Sequence, residues 1–476
     1  MTGSKPTLSR QGIAIAGLRG GSGKTLTALG LIAALERRGL SVAPFKKGPD
    51  YIDPAWLSHA AGRDCHNLDT YLLDPDTITQ TYLTRNSYCQ VALVEGNRGI
   101  FDGVDIEGTH SIAELAKLLG LPVILVVDCA KASRTVAALV RGCQAFDPCL
   151  ALRGVILNRV AGERHRSIAA GAIERYCGVP VLGAIPRIAG LDLAERHLGL
   201  LPVSEHSAPS QVVGLIADAV ESSVDIGRVL GIMEQHAYPS FAIDVKEQPW
   251  AASASAEAAG PAIGVIRDSA FSFYYPETIE ALRRHGARII EIDSLRDGRL
   301  PAVEGLYIGG GFPETHVEKL SANRTLMKSV RDAVETGLPV YAECGGLVYL
   351  SESLEVNGTN YPMAGVFPLR FGVTERPQGH GYTSFTADRA NPYYPAGTSV
   401  RGHEFRYSRL TGTTAPVETV FAMGRGTGLM EGRDGIVRNN ALGTFCHTHA
   451  LGRGVSWPEA LVSMARRHQR YCIDDR

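Results

Sequence analysis

Three observations predict an α/β fold built as two units on one chain. The first is an alternation of short apolar runs with helix-period stretches through residues 1–220. Ile13–Ala16, Val91–Val94, Val123–Val127 and Val155–Leu157 are apolar on both parities, as strands buried on both faces must be. Between them Thr25–Arg38 and Ile112–Leu119 repeat their apolar positions at helical spacing. Such βαβ alternation predicts a parallel, doubly wound sheet. The second is a composition shift over 235–261, where Ala-Tyr-Pro-Ser, Gln-Pro-Trp and an Ala/Ser-rich run have little periodicity and read as a linker. The third is a restart of the pattern: a strand at Ile263–Ile266, a helix at Pro276–His285, then strands at Ala287–Ile292 and Leu306–Ile308. The expected layout is therefore 1–234, a linker at 235–261, and 262–476, which suits a chain of 476 residues, too long for one core.

Composition excludes several classes of function. Hydrophobic residues make 45% and charged residues 20%, the balance of a globular protein. With 48 Lys+Arg against 49 Asp+Glu there is no broad basic surface for nucleic acid or anionic membrane, so any anion site is local. The nine cysteines are odd in number and form no CxxC pair, which points to a reduced, cytoplasmic protein. The polar stretch Met1–Gln11 does not read as a signal peptide, and no apolar run reaches the ~18 residues of a membrane span.

The loop Gly17-Leu18-Arg19-Gly20-Gly21-Ser22-Gly23-Lys24-Thr25 follows a predicted strand and opens a predicted helix. Gly21, Ser22 and Gly23 let backbone N–H groups converge on phosphate oxygens, the helix N-terminus adds its dipole, Lys24 reaches the terminal phosphates, and Thr25 is placed to bind Mg²⁺. Its glycine spacing is one residue longer than the strict phosphate-loop pattern. Later loops add carboxylates: Asp50 and Asp53 in a Gly/Pro-bounded segment, Glu95 at a strand end, and Asp102 in a glycine turn. Singly, each reads as a solvated or capping acid. Together, at the carboxyl ends of parallel strands, they mark where Mg²⁺ and a reacting group belong.

In the second unit Glu343-Cys344-Gly345-Gly346-Leu347 follows the apolar run Leu338–Ala342 and reads as a nucleophile elbow, with Cys344 lifted above the sheet edge. A thiol nucleophile needs a base and an oxyanion site. Gly309–Glu314 follows a strand and offers backbone N–H donors, and His447 and His449 are the candidate bases. A metal site built from His380, His403, His447 and His449 lacks a recognisable ligand spacing.

These residues resemble the cobyrinate a,c-diamide synthases. The resemblance rests on Phe45–Pro54, Asn67-Leu68-Asp69, Glu95-Gly96 and Asp102-Gly103 in the first half, and on Arg267–Glu277, Gly309–Glu314, Tyr341–Leu350 and Gly402–Phe405 in the second. It covers nearly the whole chain in order. It implies an ATP-dependent amidoligase domain of dethiobiotin-synthetase type fused to a class I glutamine amidotransferase domain. Cys344 would attack the side-chain amide of glutamine, with His447 activating the thiol. ATP would convert a substrate carboxylate to an acyl phosphate that ammonia displaces. Thr25, Glu95 and Asp50 would hold Mg²⁺, Asp53 and Asp102 would position substrate or intermediate, and Asn158 would lie where related amidoligases bind adenine. Class I glutaminases usually carry a Glu two residues after the histidine; here that place is His449, so the resemblance implies a dyad.

The implied substrates are ATP, glutamine and a tetrapyrrole carboxylate, with cobyrinate first and siroheme or nickel-sirohydrochlorin as alternatives. Arg19 and Lys47 depart from the loops expected of the family and could meet extra tetrapyrrole carboxylates or lie solvated at the surface. Homodimerisation, and a shielded path or closure for ammonia, are expectations of the resemblance. A different class, a nucleotide-switch protein with a vestigial second domain, is disfavoured because Leu18 stands where such proteins often carry an extra lysine.

Overall fold

The computed structural model describes residues 11–188, 195–196, 199–235 and 260–474. The expected linker, 235–261, lies outside the described residues except for Gln235, Gly260 and Pro261. Two compact units form, Met1–Thr70 with Asp74–Lys246, and Tyr71–Leu73 with Glu247–Arg476.

In the first unit, strands β1 (Gln11–Gly17), β2 (Val42–Lys47), β3 (His66–Leu68), β4 (Val91–Glu95), β5 (Val123–Asp128), β6 (Leu152–Val160) and β7 (Val181–Pro186) make one sheet in the order β3-β2-β4-β1-β5-β6-β7. Every pairing is parallel. The strands with no alternation, such as Ile13–Ala16 and Leu93–Val94, are fully buried, which is why the sequence shows solid apolar runs there. β6 is longer than its apolar centre, because Arg153 and Arg159 are exposed positions that still pair in the sheet. The short pair β8 (Glu195–Arg196) and β9 (Gly199–Leu200) follows.

Because the sheet is parallel, the loops after β1, β2 and β4 leave from one edge. Helix α1 (Lys24–Arg37) begins on the glycine loop, and Gly23 enters it with φ 96°. Register puts Lys46 of β2 directly beside Glu95 of β4. A lysine and a carboxylate far apart in the sequence thus become neighbours.

The second unit centres on a nine-stranded sheet. Its parallel half runs β11 (Arg288–Ile292), β10 (Ala262–Ile266), β12 (Gly305–Ile308), β13 (Val340–Glu343) and β22 (Ala441–Thr444). From β22 it continues antiparallel through β21 (Arg433–Arg438), β20 (Thr419–Arg425), β17 (Gly379–Ala387) and β18 (Ser399–Arg406). A separate four-stranded sheet has the order β15 (Thr359–Pro362), β14 (Ser353–Val356), β16 (Leu369–Val373) and β19 (Ser408–Thr413). The C-terminal helix Trp457–Asp474 opens with Trp457, whose ring stacks on Tyr341 at 4.1 Å and 4°. Among the described residues no helix is long and apolar enough to cross a membrane.

Helix packing in the first unit turns on one missing side chain. A Cβ on Gly30 of α1 would fall 2.2 Å from Val220 Cγ2 and 3.2 Å from Ile216 Cγ2 on the helix Pro209–Ser223. Replacing Gly30 by Val gains roughly 0.5 kcal/mol of helix propensity but overpacks this contact by about 1–3 kcal/mol. Overpacking wins, so Gly30→Val should lower the calorimetric melting temperature of the first unit. An unchanged transition would show that the two helices can separate freely.

Candidate active site

The thiol centre is built from strand ends. β13 ends at Glu343, and Cys344 takes φ 49° and ψ −100° before the helix Gly345–Leu350. A non-glycine residue in such a conformation stores about 1–3 kcal/mol of strain. Gly346 has no room for a side chain, since a Cβ there would lie 2.4 Å from the Ile308 carbonyl, and Gly345 is tight, with a Cβ 3.2 Å from Gly311 N. Cys344 N donates to Thr444 O at 2.8 Å, continuing the β13–β22 ladder to the nucleophile itself. The sulfur lies 3.8 Å from Phe405 O, and the thiol shares a pocket with Gly311, Gly345, Arg406 and Tyr407.

His447 comes from the segment just after β22. A buried carboxylate pins that segment: Asp434 accepts from Thr444 Oγ1 at 2.7 Å, Phe445 N at 3.0 Å and Cys446 N at 3.2 Å. His447 and His403 exchange backbone hydrogen bonds at 2.8 and 3.0 Å, and their rings stack at 5.0 Å. Gly310 clears the ring, since its Cβ would lie 2.4 Å from His447 Cε1. Burial pulls the His447 pKa down, but its hydrogen bond to Cys344 and the Glu343 carboxylate push it up to about 10. His447 Nδ1 lies 3.4 Å from Glu343 Oε2, with both side chains 2% exposed. His403 is the opposite case: burial, His447 and His449 hold it well below the usual imidazole range, so it is neutral.

The remaining sequence candidates fall as follows. His449 is fully buried; its Nε2 faces Glu277 Oε2 at 3.5 Å and its Nδ1 accepts from Leu451 N at 3.3 Å. Gly309 N donates to Tyr274 Oη at 2.9 Å, so within the glycine run Gly311 is the donor beside the elbow.

The first unit gathers its predicted residues around the glycine loop. Lys24 Nζ donates to Arg19 O at 2.9 Å, and Ser22 Oγ donates to the same carbonyl at 2.8 Å. Burial and Lys46 lower the Lys24 pKa, against Glu95, Asp53 and Asp102, which raise it. Thr25 Oγ1 donates to Glu95 Oε1 at 2.6 Å and lies 3.3 Å from Asp53 Oδ2. Asp53 is thus nearer Thr25 than its role as a substrate holder required. Asp50 instead caps the next helix, accepting from Ile52 N at 2.9 Å and Asp53 N at 3.2 Å. Asp102 closes its own turn by accepting from Gly99 N at 2.8 Å. Asn158 sits inside β6 and donates to Ser22 O at 2.9 Å, bracing the loop; a Cβ on Gly23 would lie 2.0 Å from its Nδ2.

Lys46 is the centre of the acidic cluster. Its Nζ lies 2.5 Å from Asp53, 3.0 Å from Glu95 and 3.9 Å from Asp50. Burial opposes its charge, yet Asp53, Glu95 and Asp50 hold its pKa above the usual lysine range. Burial and Asp53 push Asp50 up to about 7 against Lys46, burial raises Glu95, and against burial Lys46 with hydrogen bonds from Asp50 and Thr25 lowers Asp53. Burial lowers the Lys47 pKa against the opposing charge of Asp69, whereas Arg19 is exposed and bonded to Asp128 at 3.1 Å. Of these two, only Arg19 lies at the surface, and its charge already has a partner.

Both halves match known families. The CobQ/CobB/MinD/ParA nucleotide binding domain matches residues 13–201, and the CobB/CobQ-like glutamine amidotransferase domain matches residues 262–455. Across both halves, the chain is 41% identical over 441 residues to the cobyrinate a,c-diamide synthase of Magnetococcus marinus, covering 92% of this chain and 94% of that protein. The chain belongs to the cobyrinate a,c-diamide synthase family. Further family members include those of Archaeoglobus fulgidus, 40% identical over 92% of this chain and 94% of that one, and Methanosarcina acetivorans, 37% identical over 94% and 93%. A cobyrinate a,c-diamide synthase family chain thus carries a nucleotide-binding domain and a glutamine amidotransferase domain in that order.

Sequence reasoning missed the two charged residues that link the candidates in space. Lys46 was overlooked because, with Lys47, it ends an otherwise apolar buried strand, and Glu343 because it adjoins the nucleophile rather than the histidine. Strand register was the available signal for Lys46. Lys46 and Glu95 are 2% and 0% exposed, and removing one member of such a pair costs about 3–5 kcal/mol. Lys46→Met should therefore destabilise the first unit by that amount in urea unfolding, and a loss below about 1 kcal/mol would show water replacing the ammonium.

Proposed function

We propose that this chain converts cobyrinate to its a,c-diamide, drawing nitrogen from glutamine and energy from ATP. The observation that carries the reading is the strained Cys344 with the buried, Glu343-facing His447 beside it, on the same chain as a phosphate loop. The thiolate is the reactive form, and an imidazole beside the thiol is placed to take its proton. The Cys344 sulfur attacks the side-chain amide carbon of glutamine, and the oxyanion formed is met by the N–H groups of Gly311 and Gly345. His447 gives its proton to the departing nitrogen, releasing ammonia and leaving a γ-glutamyl thioester. Water, deprotonated by His447, then cleaves the thioester to glutamate and restores the thiol.

In the first unit a substrate carboxylate attacks the terminal phosphorus of ATP, giving an acyl phosphate and ADP. Ammonia adds to the acyl carbon and phosphate leaves, so carboxylate oxygen departs on phosphorus and the amide forms. Lys24 faces the transferring group, with Gly21, Ser22 and Gly23 lining the phosphates. The all-oxygen set of Thr25, Glu95, Asp53 and Asp50 fits Mg²⁺, and Glu95 Oε2 is buried without a hydrogen-bond partner. Bound there, Mg²⁺ would neutralise charge on the polyphosphate. It would share these carboxylates with Lys46, which stays paired with Glu95 and Asp53. Asp102 contributes a negative charge that helps keep Lys24 protonated.

Cys344→Ala should reduce glutamine-supported synthesis by a factor of about 10³ or more, while synthesis from ammonium chloride stays within about twofold of the parent chain. Products are read by mass as successive carboxyl-to-amide exchanges, with cobyrinate, siroheme and nickel-sirohydrochlorin offered separately. Equal loss with both nitrogen sources would refute the division of labour, and exchange on siroheme alone would refute the substrate.

A further inference from the structure

We propose that Glu343, the residue immediately before the nucleophile, is the positioning carboxylate of the glutaminase centre, so that Cys344, His447 and Glu343 act as a triad. The proposal rests on the glutaminase reading of Cys344 and His447 given above. The resemblance implied a dyad, because His449 occupies the place where a carboxylate usually follows the histidine. The structure shows where that position goes instead: His449 turns inward to Glu277. A carboxylate nevertheless stands 3.4 Å from His447 Nδ1, supplied by the end of β13.

Three features make Glu343 a built element rather than a stray acid. Its side chain is 2% exposed, and a carboxylate so buried requires partners. Its Oε1 accepts from Thr448 N and Thr448 Oγ1, both at 3.2 Å, while its Oε2 accepts from Tyr307 Oη at 3.3 Å and faces His447. Thr448 is itself held by Trp457 Nε1, which donates to its Oγ1 at 3.0 Å. One carboxylate oxygen is thus fixed by the residue next to His447, and the other is aimed at the ring.

The geometry assigns the two ring nitrogens. Nδ1 faces the Glu343 carboxylate, so Nε2 is left for the sulfur, where a base must act. Strand geometry explains how adjacent residues serve one ring. Along β13, Tyr341 packs in the cluster with Tyr307 and Trp457, whereas Ala342 and Cys344 pack in the cluster on the other face. Glu343 shares the parity of Tyr341, so it and Cys344 leave the strand on opposite sides. A ring lying across the strand end touches both. In this arrangement Glu343 has no contact with glutamine; it fixes the orientation of His447 and stabilises its imidazolium.

The other titratable groups around the pair do not supply the same charge. His403 is held neutral, Tyr307, Tyr341 and Tyr394 are all pushed above the usual phenol range by burial, and Glu277 is engaged with His449. The sign of the effect follows. Glu343 raises the His447 pKa, so its removal lets the imidazolium lose its proton at lower pH.

The test uses the full chain with glutamine or ammonium chloride as nitrogen source. Glu343→Gln keeps the size and the Thr448 contacts but removes the charge. It should lower glutamine-supported kcat by about 10²–10⁴, as loss of an orienting carboxylate does elsewhere, with KM for glutamine within about threefold. The alkaline limb of its kcat/KM profile should move to lower pH, and ammonium-supported synthesis should remain. Glu343→Asp should restore the alkaline limb and part of kcat. Retention of parental kcat and limb in Glu343→Gln, or equal loss with both nitrogen sources, overturns the proposal. Should Glu343→Gln fold poorly, iodoacetamide labelling of Cys344 against pH in Glu343→Asp decides: a profile matching the parent's supports the proposal, and one unlike the parent's overturns it. The dependence on the glutaminase reading is separable, because Cys344→Ala run in parallel fails its own prediction only if that reading is wrong.

Discussion

A carboxylate removed from water without a partner costs several kcal/mol, and a buried pair that loses one member is destabilised by about 3–5 kcal/mol. Both reacting centres place carboxylates under that constraint. In the first unit Glu95 is fully buried and is held by Lys46 and Thr25. In the second, Glu343 is held by Thr448 and Tyr307 and faces His447. Neither cluster can be rearranged one residue at a time, because each member is another member's compensation. The consequence is preorganisation: the groups meant to meet phosphate or sulfur are fixed before substrate arrives, and reorganisation is not left to the reaction.

The same arrangement explains why so many glycines lie at the two centres. Close approach, more than backbone freedom, is what most of them provide. Gly310 and Gly402 make room for the ring and carbonyl of His447, and Gly346 lets the elbow helix lie against the Ile308 carbonyl. Gly23 does both: its φ is 96°, and Asn158 fills the space its side chain would take. Cys344 stands apart, since it is not glycine and yet has positive φ. The strain there is balanced by the ladder bond from Cys344 N to Thr444 O and by dense packing of the elbow helix, whose residues are all buried.

What was legible in the sequence was what local periodicity and turn chemistry encode. The parallel strands announced themselves because burial on both faces forces apolar residues at both parities, as at Ile13–Ala16 and Val123–Val127. The phosphate loop and the elbow were legible because both need glycines at fixed offsets from a strand end. The antiparallel half of the second sheet was not, because strands such as β18 mix exposed Ser399 and Arg401 with buried Val400 and the buried polar residues His403 and Glu404. Nor was the function of Lys46 or Glu343. Each acts through a neighbour brought by sheet register or by a strand end, and separation along the chain carries no trace of that contact. Asn158 shows the same limit from the other side, since its position near a strand end was visible but its bond to Ser22 was not.

The displacement of the carboxylate from the histidine side of the centre to the cysteine side has a structural reason. A residue two places after His447 must follow the chain inward, because Thr448 and His449 are buried against Glu343 and Glu277 respectively. A carboxylate at position 449 would face Glu277 as a second buried anion, and like charges at that distance without water are strongly unfavourable. A histidine there is compatible with Glu277, and the orienting charge must then come from elsewhere. The end of β13 is the nearest backbone whose position is already fixed by the nucleophile. Placing the carboxylate one residue before the cysteine therefore couples the orientation of the base to the same strand that strains the thiol, and a single shift of β13 would disturb both together.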